Sequence, residues 1–130
     1  MKDLVELIEL SKIKCEIDIK RGEKKYFDFE WLLNEISSEI LEVKEELKEN
    51  NHPYLEDELG DILWGWIILV QKLQREGLVN SHEAIFKRAL KKYKERILPL
   101  KGDMSDNETW QRVKEEQKKA LESEKLKIKS

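Results

Sequence analysis

The stretch Glu58–Gln71, ELGDILWGWIILVQ, sets two carboxylates three residues apart against an almost unbroken apolar run. The run Ile62–Val70 is far shorter than the roughly 20 apolar residues that span a bilayer, so a helix of a soluble interior is expected. Leu59, Ile62, Leu63, Trp66, Ile67 and Val70 are assigned to its core face, with Trp64 and Ile68 opposite. Such a helix is apolar nearly all round and must be covered on most sides, by its own bundle or by a second subunit. Asp61 is then expected beside buried surface, where an unpaired carboxylate is costly and tends to protonate unless a cation or donor meets it. Glu58 and Asp61 converge on one point. Gly65, one turn on, either leaves room for a ligand or lets another helix pack closely.

Working outward, the chain reads as helices joined by short loops, because it holds only two prolines and five glycines in 130 residues. A first helix is expected over about Lys2 to Lys20, with Leu4, Leu7, Ile8, Ile13 and Ile17 on its apolar side, ended by RGEKK. Asp28 caps a second, whose stripe is Leu32, Ile36, Ile40, Val43 and Leu47; ENNHP ends it and Pro53 opens the third. The third runs to Glu76 and stops at Gly77. Ser81 caps a fourth carrying Ile85, Ala89, Leu90 and Tyr93, and Asn107 caps a fifth that is mostly Lys and Glu beyond Val113. His52 and His82 are read as cap or loop residues.

With Ile36 at the centre of the second helix's apolar face and about 100° per residue, Glu39 falls roughly 60° to one side and Glu42 about 120°. Glu35 and Glu46 join the same edge, and none of the four has Lys or Arg three or four residues onward. This is either a solvated face or, with Glu58 and Asp61, a four-carboxylate site. Carboxylates without histidine suit a hard cation, Mg²⁺, Mn²⁺ or Ca²⁺, and Mg²⁺ characteristically recruits substrate phosphates. A di-iron bundle would need two E-x-x-H pairs; the only one is Glu49 to His52, at a helix end.

SEILE, Ser38–Glu42, followed by ELGD, Glu58–Asp61, resembles the E-E-x-x-E, spacer, E-x-x-D signature of MazG-type nucleoside triphosphate pyrophosphohydrolases. ETWQRVKEEQ, Glu108–Gln117, is similar to the W-x-x-[IV]-K-x-E segment of many members, and RALKKY, Arg88–Tyr93, stands where they carry K-L-E-R-R-H. The likeness covers roughly residues 4 to 117. It implies Glu39, Glu42, Glu58 and Asp61 as Mg²⁺ ligands, with Glu39 or Glu42 doubling as catalytic base. It also implies Lys25, Arg88, Lys92, Trp110 and Lys114 as substrate-binding residues. Ser38 replaces the first Glu of the signature, C-P-W-D is absent with RGEK at Arg21–Lys24 near its place, and the His-Pro after the basic pair is missing. Base recognition is where these departures bear.

The expectation is therefore an all-α, MazG-like four-helix bundle with an additional C-terminal helix, assembling as a homodimer or homotetramer. Residues 1–117 would form the pyrophosphohydrolase domain and 118–130 a charged tail. Its function would be Mg²⁺-dependent hydrolysis of a nucleoside triphosphate to monophosphate and pyrophosphate, in nucleotide-pool house-cleaning, with Mn²⁺ as a substitute. The alternatives are a dUTP or phosphoribosyl-ATP hydrolase of the same superfamily, or a non-catalytic helical interaction module. Net charge −3 with 41% charged residues argues against duplex nucleic-acid binding. No membrane partner is expected. The lone Cys15 and the lack of a signal-peptide pattern at the N-terminus lead to a cytoplasmic expectation.

Overall fold

The computed structural model describes residues 1–129, and within them the chain is all-helical, with five α-helices and no strand. It forms two compact units, Met1 to His82 and Glu83 onward. No described helix is long and apolar enough to cross a membrane. The charged tail expected at 118–130 is, as far as Lys129, the end of a continuous helix; Ser130 lies outside the described residues.

In the first unit, α1 spans Lys2–Arg21 and stops at Gly22, whose φ of 69° is the left-handed conformation that lets its N–H reach back to the Asp18 carbonyl. A 3-10 turn, Lys24–Phe27, leads to α2, Phe29–Glu45. Asp28 caps α2 as expected, accepting from the Glu30 and Trp31 N–H groups at 3.0 and 3.4 Å. The helix ends earlier than ENNHP, so Leu47 lies beyond it and is exposed. Asn50 turns the chain at φ 55°, and the Asn51 amide donates to the Glu46 carbonyl and carboxylate at 2.9 and 2.7 Å. Glu46 therefore clamps this loop and is no part of an open acidic edge. α3, His52–Arg75, has Pro53 in its first turn.

α3 packs against both α1 and α2, and the seams follow alternating steps of three and four residues. On α1 the buried line is Ile8, Ser11, Cys15 and Asp18, while Ile13 and Ile17, expected in the core, are exposed. On α2 it is Leu32, Ile36, Glu39 and Val43, with Leu32 buried, the others half-buried, and Ile40 exposed. Glu39 thus lies on the seam, not to its side. On α3 the expected faces are exchanged in part: Ile68 is buried and Trp64 half-buried, whereas Leu59 and Leu63 are exposed. Ile67, Leu69 and Val70 complete the core. Each such fully buried aliphatic side chain contributes about 1.5–3 kcal/mol. At Gly65 a Cβ would lie 3.0 Å from Ile36 Cγ1 of α2, so the glycine serves close packing.

His82 is neither loop nor simple cap. It is buried, its Nε2 is 2.8 Å from the Ile67 carbonyl oxygen, and its ring meets Trp66 edge-on.

The second unit consists of α4, His82–Ile97 from Glu83 on, and α5, Asp106–Lys129. Asn107 lies inside the first turn of α5. Asp106 instead closes the loop, its carboxylate accepting from the Lys101 and Gly102 N–H groups at 2.8 Å each. Among the described residues of this unit only Val113 is a buried hydrophobic.

Candidate metal centre

One turn separates Glu39 from Glu42 on α2, and one turn separates Glu58 from Asp61 on α3, so each pair projects from one side of its helix. The close approach at Gly65 and Ile36 draws the two pairs together. One carboxylate oxygen from each of the four residues lies within 4.8 Å of the others. Glu39 and Glu58 are half-buried, and Glu42 and Asp61 are exposed. Glu42 and Asp61 therefore form the open side of the cluster, and Asp61, expected beside buried surface, is itself exposed.

No Lys or Arg forms an ion pair with any of the four among the described residues. Glu39 Oε2 and Glu58 Oε2 are buried with no hydrogen-bond partner. Desolvation, followed by the hydrogen bond and charge of Glu42 and the charges of Asp61 and Glu58, pushes the Glu39 carboxyl up to about 7. Glu58 is raised as well, by desolvation first and then by Glu42, Asp61 and Asp57. Buried acceptors facing like charges are costly unless a cation meets them. Four hard oxygens in this spacing fit a divalent hard cation.

The sequence-based substrate residues divide between the units. Lys25, in the 3-10 turn of the first, holds its ammonium 5.3 Å from the Tyr26 ring centroid and 5.7 Å from that of Trp31. Arg88, Lys92, Trp110 and Lys114 belong to the second. Arg88 makes a two-pronged contact with Glu124 of α5 at 2.9 and 3.2 Å, and Lys92 lies 5.7 Å from the Tyr93 ring. Trp110 packs under the Arg96 guanidinium at 5.3 Å. Arg88, Lys92 and Lys114 line a groove of about 1140 Å³ between α4 and α5.

Three residues escaped the sequence reading: Lys14, Asp18 and Lys72. Asp18 is buried between two lysines, accepting from Lys72 Nζ at 2.8 Å and from Lys14. Burial opposes the charge on Asp18, but the Lys14 and Lys72 hydrogen bonds outweigh it and hold the carboxyl below its ordinary value. The signal available was the step of Ile8, Ser11, Cys15 and Asp18, which places a carboxylate on a seam.

Comparison with curated proteins and with solved structures gave no match. The family model of the MazG nucleotide pyrophosphohydrolase domain matches residues 27–97, a span that contains all four carboxylates and more than half of the chain. The chain belongs to the MazG nucleotide pyrophosphohydrolase domain family.

Proposed function

We propose that this protein is a Mg²⁺-dependent pyrophosphohydrolase that cleaves a nucleoside triphosphate to the monophosphate and pyrophosphate. The observation that carries the reading is the pair of buried, unpartnered oxygens of Glu39 and Glu58 inside a cluster of four carboxylates. Glu39, Glu42, Glu58 and Asp61 would hold the ion. Bound Mg²⁺, or Mn²⁺ in its place, would supply neutralisation of the phosphates and acidification of a water.

The chain's own part is proton transfer and positioning. Glu39 or Glu42 accepts the proton of the attacking water. The water oxygen attacks phosphorus while the bond to the pyrophosphate oxygen breaks in line with it. Lys25, Arg88, Lys92, Trp110 and Lys114 are kept as substrate-binding residues on the family resemblance. Residues 1–117 are kept as the catalytic domain, which encloses the matched span.

Leu33, Ile40, Leu59 and Leu63 are 42% exposed or more on the first unit, which supports assembly as a homodimer or homotetramer. A cytoplasmic location fits this chemistry. Calorimetry with Mg²⁺ and a screen of nucleotides for pyrophosphate release test the reading. Glu39→Gln and Asp61→Asn should each weaken ion binding and lower turnover about a hundredfold or more, since an ion contributes several kcal/mol of transition-state stabilisation. Unchanged affinity and rate in both variants would sink it.

A further inference from the structure

A pocket of about 290 Å³ opens in the first unit and shares Glu39 and Asp61 with the acidic cluster. Its walls are aromatic: Tyr26 and Trp31, edge to face at 5.6 Å, together with Trp64. That volume lies just below the range for small-molecule sites, about 300–1,000 Å³, and suits one heterocycle better than a whole nucleotide. Aromatic side chains offer stacking to any base.

Away from the four clustered carboxylates, the charged lining is Lys14, Asp18, Lys72 and the exposed Glu35. Asp18 is 0% and Lys72 1% exposed, so the pair is sealed from any ligand and satisfies itself. Lys14 differs, with a side chain that is 36% exposed. Its ammonium carries three N–H donors and no acceptor; one donor goes to Asp18, and the head lies 4.8 Å from the Tyr26 ring centroid. Asp18, anchored from behind by Lys72, thus positions a donor-only group at the wall of an aromatic slot. A ligand carbonyl oxygen complements that group, whereas an exocyclic amino group sets donor against donor.

We propose that this pocket takes the nucleobase, and that Lys14 selects bases with a carbonyl oxygen at pyrimidine position 4 or purine position 6 over those with an amino group there. The identity of the ligand as a nucleotide rests on the pyrophosphohydrolase reading. The selection itself rests on Lys14 and the three rings. Uracil, thymine, guanine and hypoxanthine are the favoured class; cytosine and adenine are the disfavoured one.

The test separates the two readings by using nucleosides, which carry no phosphate, and protein without added metal. Uridine, inosine, cytidine and adenosine are titrated while the tryptophan indole resonances are followed by NMR. Uridine and inosine should bind about tenfold or more tightly than their amino counterparts, the scale of a hydrogen bond to a charged donor. Lys14→Met should bring the ratio close to one, and Lys14→Arg, which keeps the donor, should preserve it. Thermal melts accompany both, and if Lys14→Met does not fold, the wild-type and Lys14→Arg ratios decide. Equal binding, or none, overturns the proposal. A preference for cytidine and adenosine would also overturn it, assigning the base edge to Glu35, the acceptor that lines the same pocket. Oxo-selective binding without pyrophosphate release from any triphosphate would leave the pocket assignment standing and defeat the hydrolase reading. Pyrophosphate release at equal kcat/KM from oxo and amino triphosphates would do the reverse.

Discussion

The two units hold their charges in opposite ways. In the first, ionisable groups are built into the seams: Asp18 and Lys72 are sealed between α1 and α3, and Glu39 stands on the line that carries Leu32 and Ile36. In the second, the charges lie along an open groove, where Arg88 and Glu124 pair with side chains 62% and 47% exposed. Charge inside a seam fixes geometry at an energetic cost, whereas charge in a groove is screened and free to change partners. The first arrangement suits a site of set dimensions, and the second suits groups that must release one partner to take another.

The strongest way to break this contrast is through the buried pair. Asp18→Ala leaves Lys72 uncompensated and should cost about 3–5 kcal/mol in denaturant unfolding, whereas Glu124→Ala should cost about 1 kcal/mol or less. Equal costs would mean that the two kinds of pairing do not differ. The sign with pH follows from the lowered Asp18 carboxyl. Its contribution is present above the ordinary carboxylate value and is lost as pH falls through the folded one.

A smaller effect of opposite direction belongs to Glu39. Its carboxyl is raised from 4.5 to about 7, so the stability it contributes is complete below 4.5 and is lost as pH rises through about 7. In metal-free protein at pH 8, Glu39→Gln should therefore be the more stable form by roughly 1–2 kcal/mol. This is less than the shift alone implies, at about 1.4 kcal/mol per pKa unit, because the amide still lacks partners. Below pH 4.5 the difference should vanish, and Mg²⁺ should reverse it at pH 8 by stabilising wild type more. Parallel melting curves across this range would show that Glu39 feels no like-charged neighbours.

The smallest expected change concerns the groove. Arg88→Ala and Lys92→Ala should each lower kcat/KM about tenfold, or roughly 1.4 kcal/mol, while shifting stability by less than about 1 kcal/mol. Wild-type kinetics in both folded variants would remove these residues from the substrate site and direct attention to Lys114.

The four carboxylates were legible because their chemistry is written as type and spacing, and both survive any small error in helical phase. The cap at Asp28 and the start of α3 at Pro53 were legible for the same local reason. Which faces were buried was not. α3 is apolar nearly all round, so hydropathy does not distinguish Leu63, which is exposed, from Ile68, which is buried. On α1 and α2 the seam passes through Ser11, Asp18 and Glu39, polar residues that a search for apolar periodicity rejects. The Asp18–Lys72 pair joins positions 54 apart in sequence, and only folding reveals that each has the other as partner.

Gly65 gives the acidic cluster a gauge made of empty space. Ile36 of α2 occupies the place a side chain would fill, and Glu39 and Asp61 each lie one helical turn from that contact. The spacing beside the carboxylates is therefore set by a residue with no functional group, and a single methyl there would oblige Ile36 to give by a few tenths of an ångström while every carboxylate remained chemically intact.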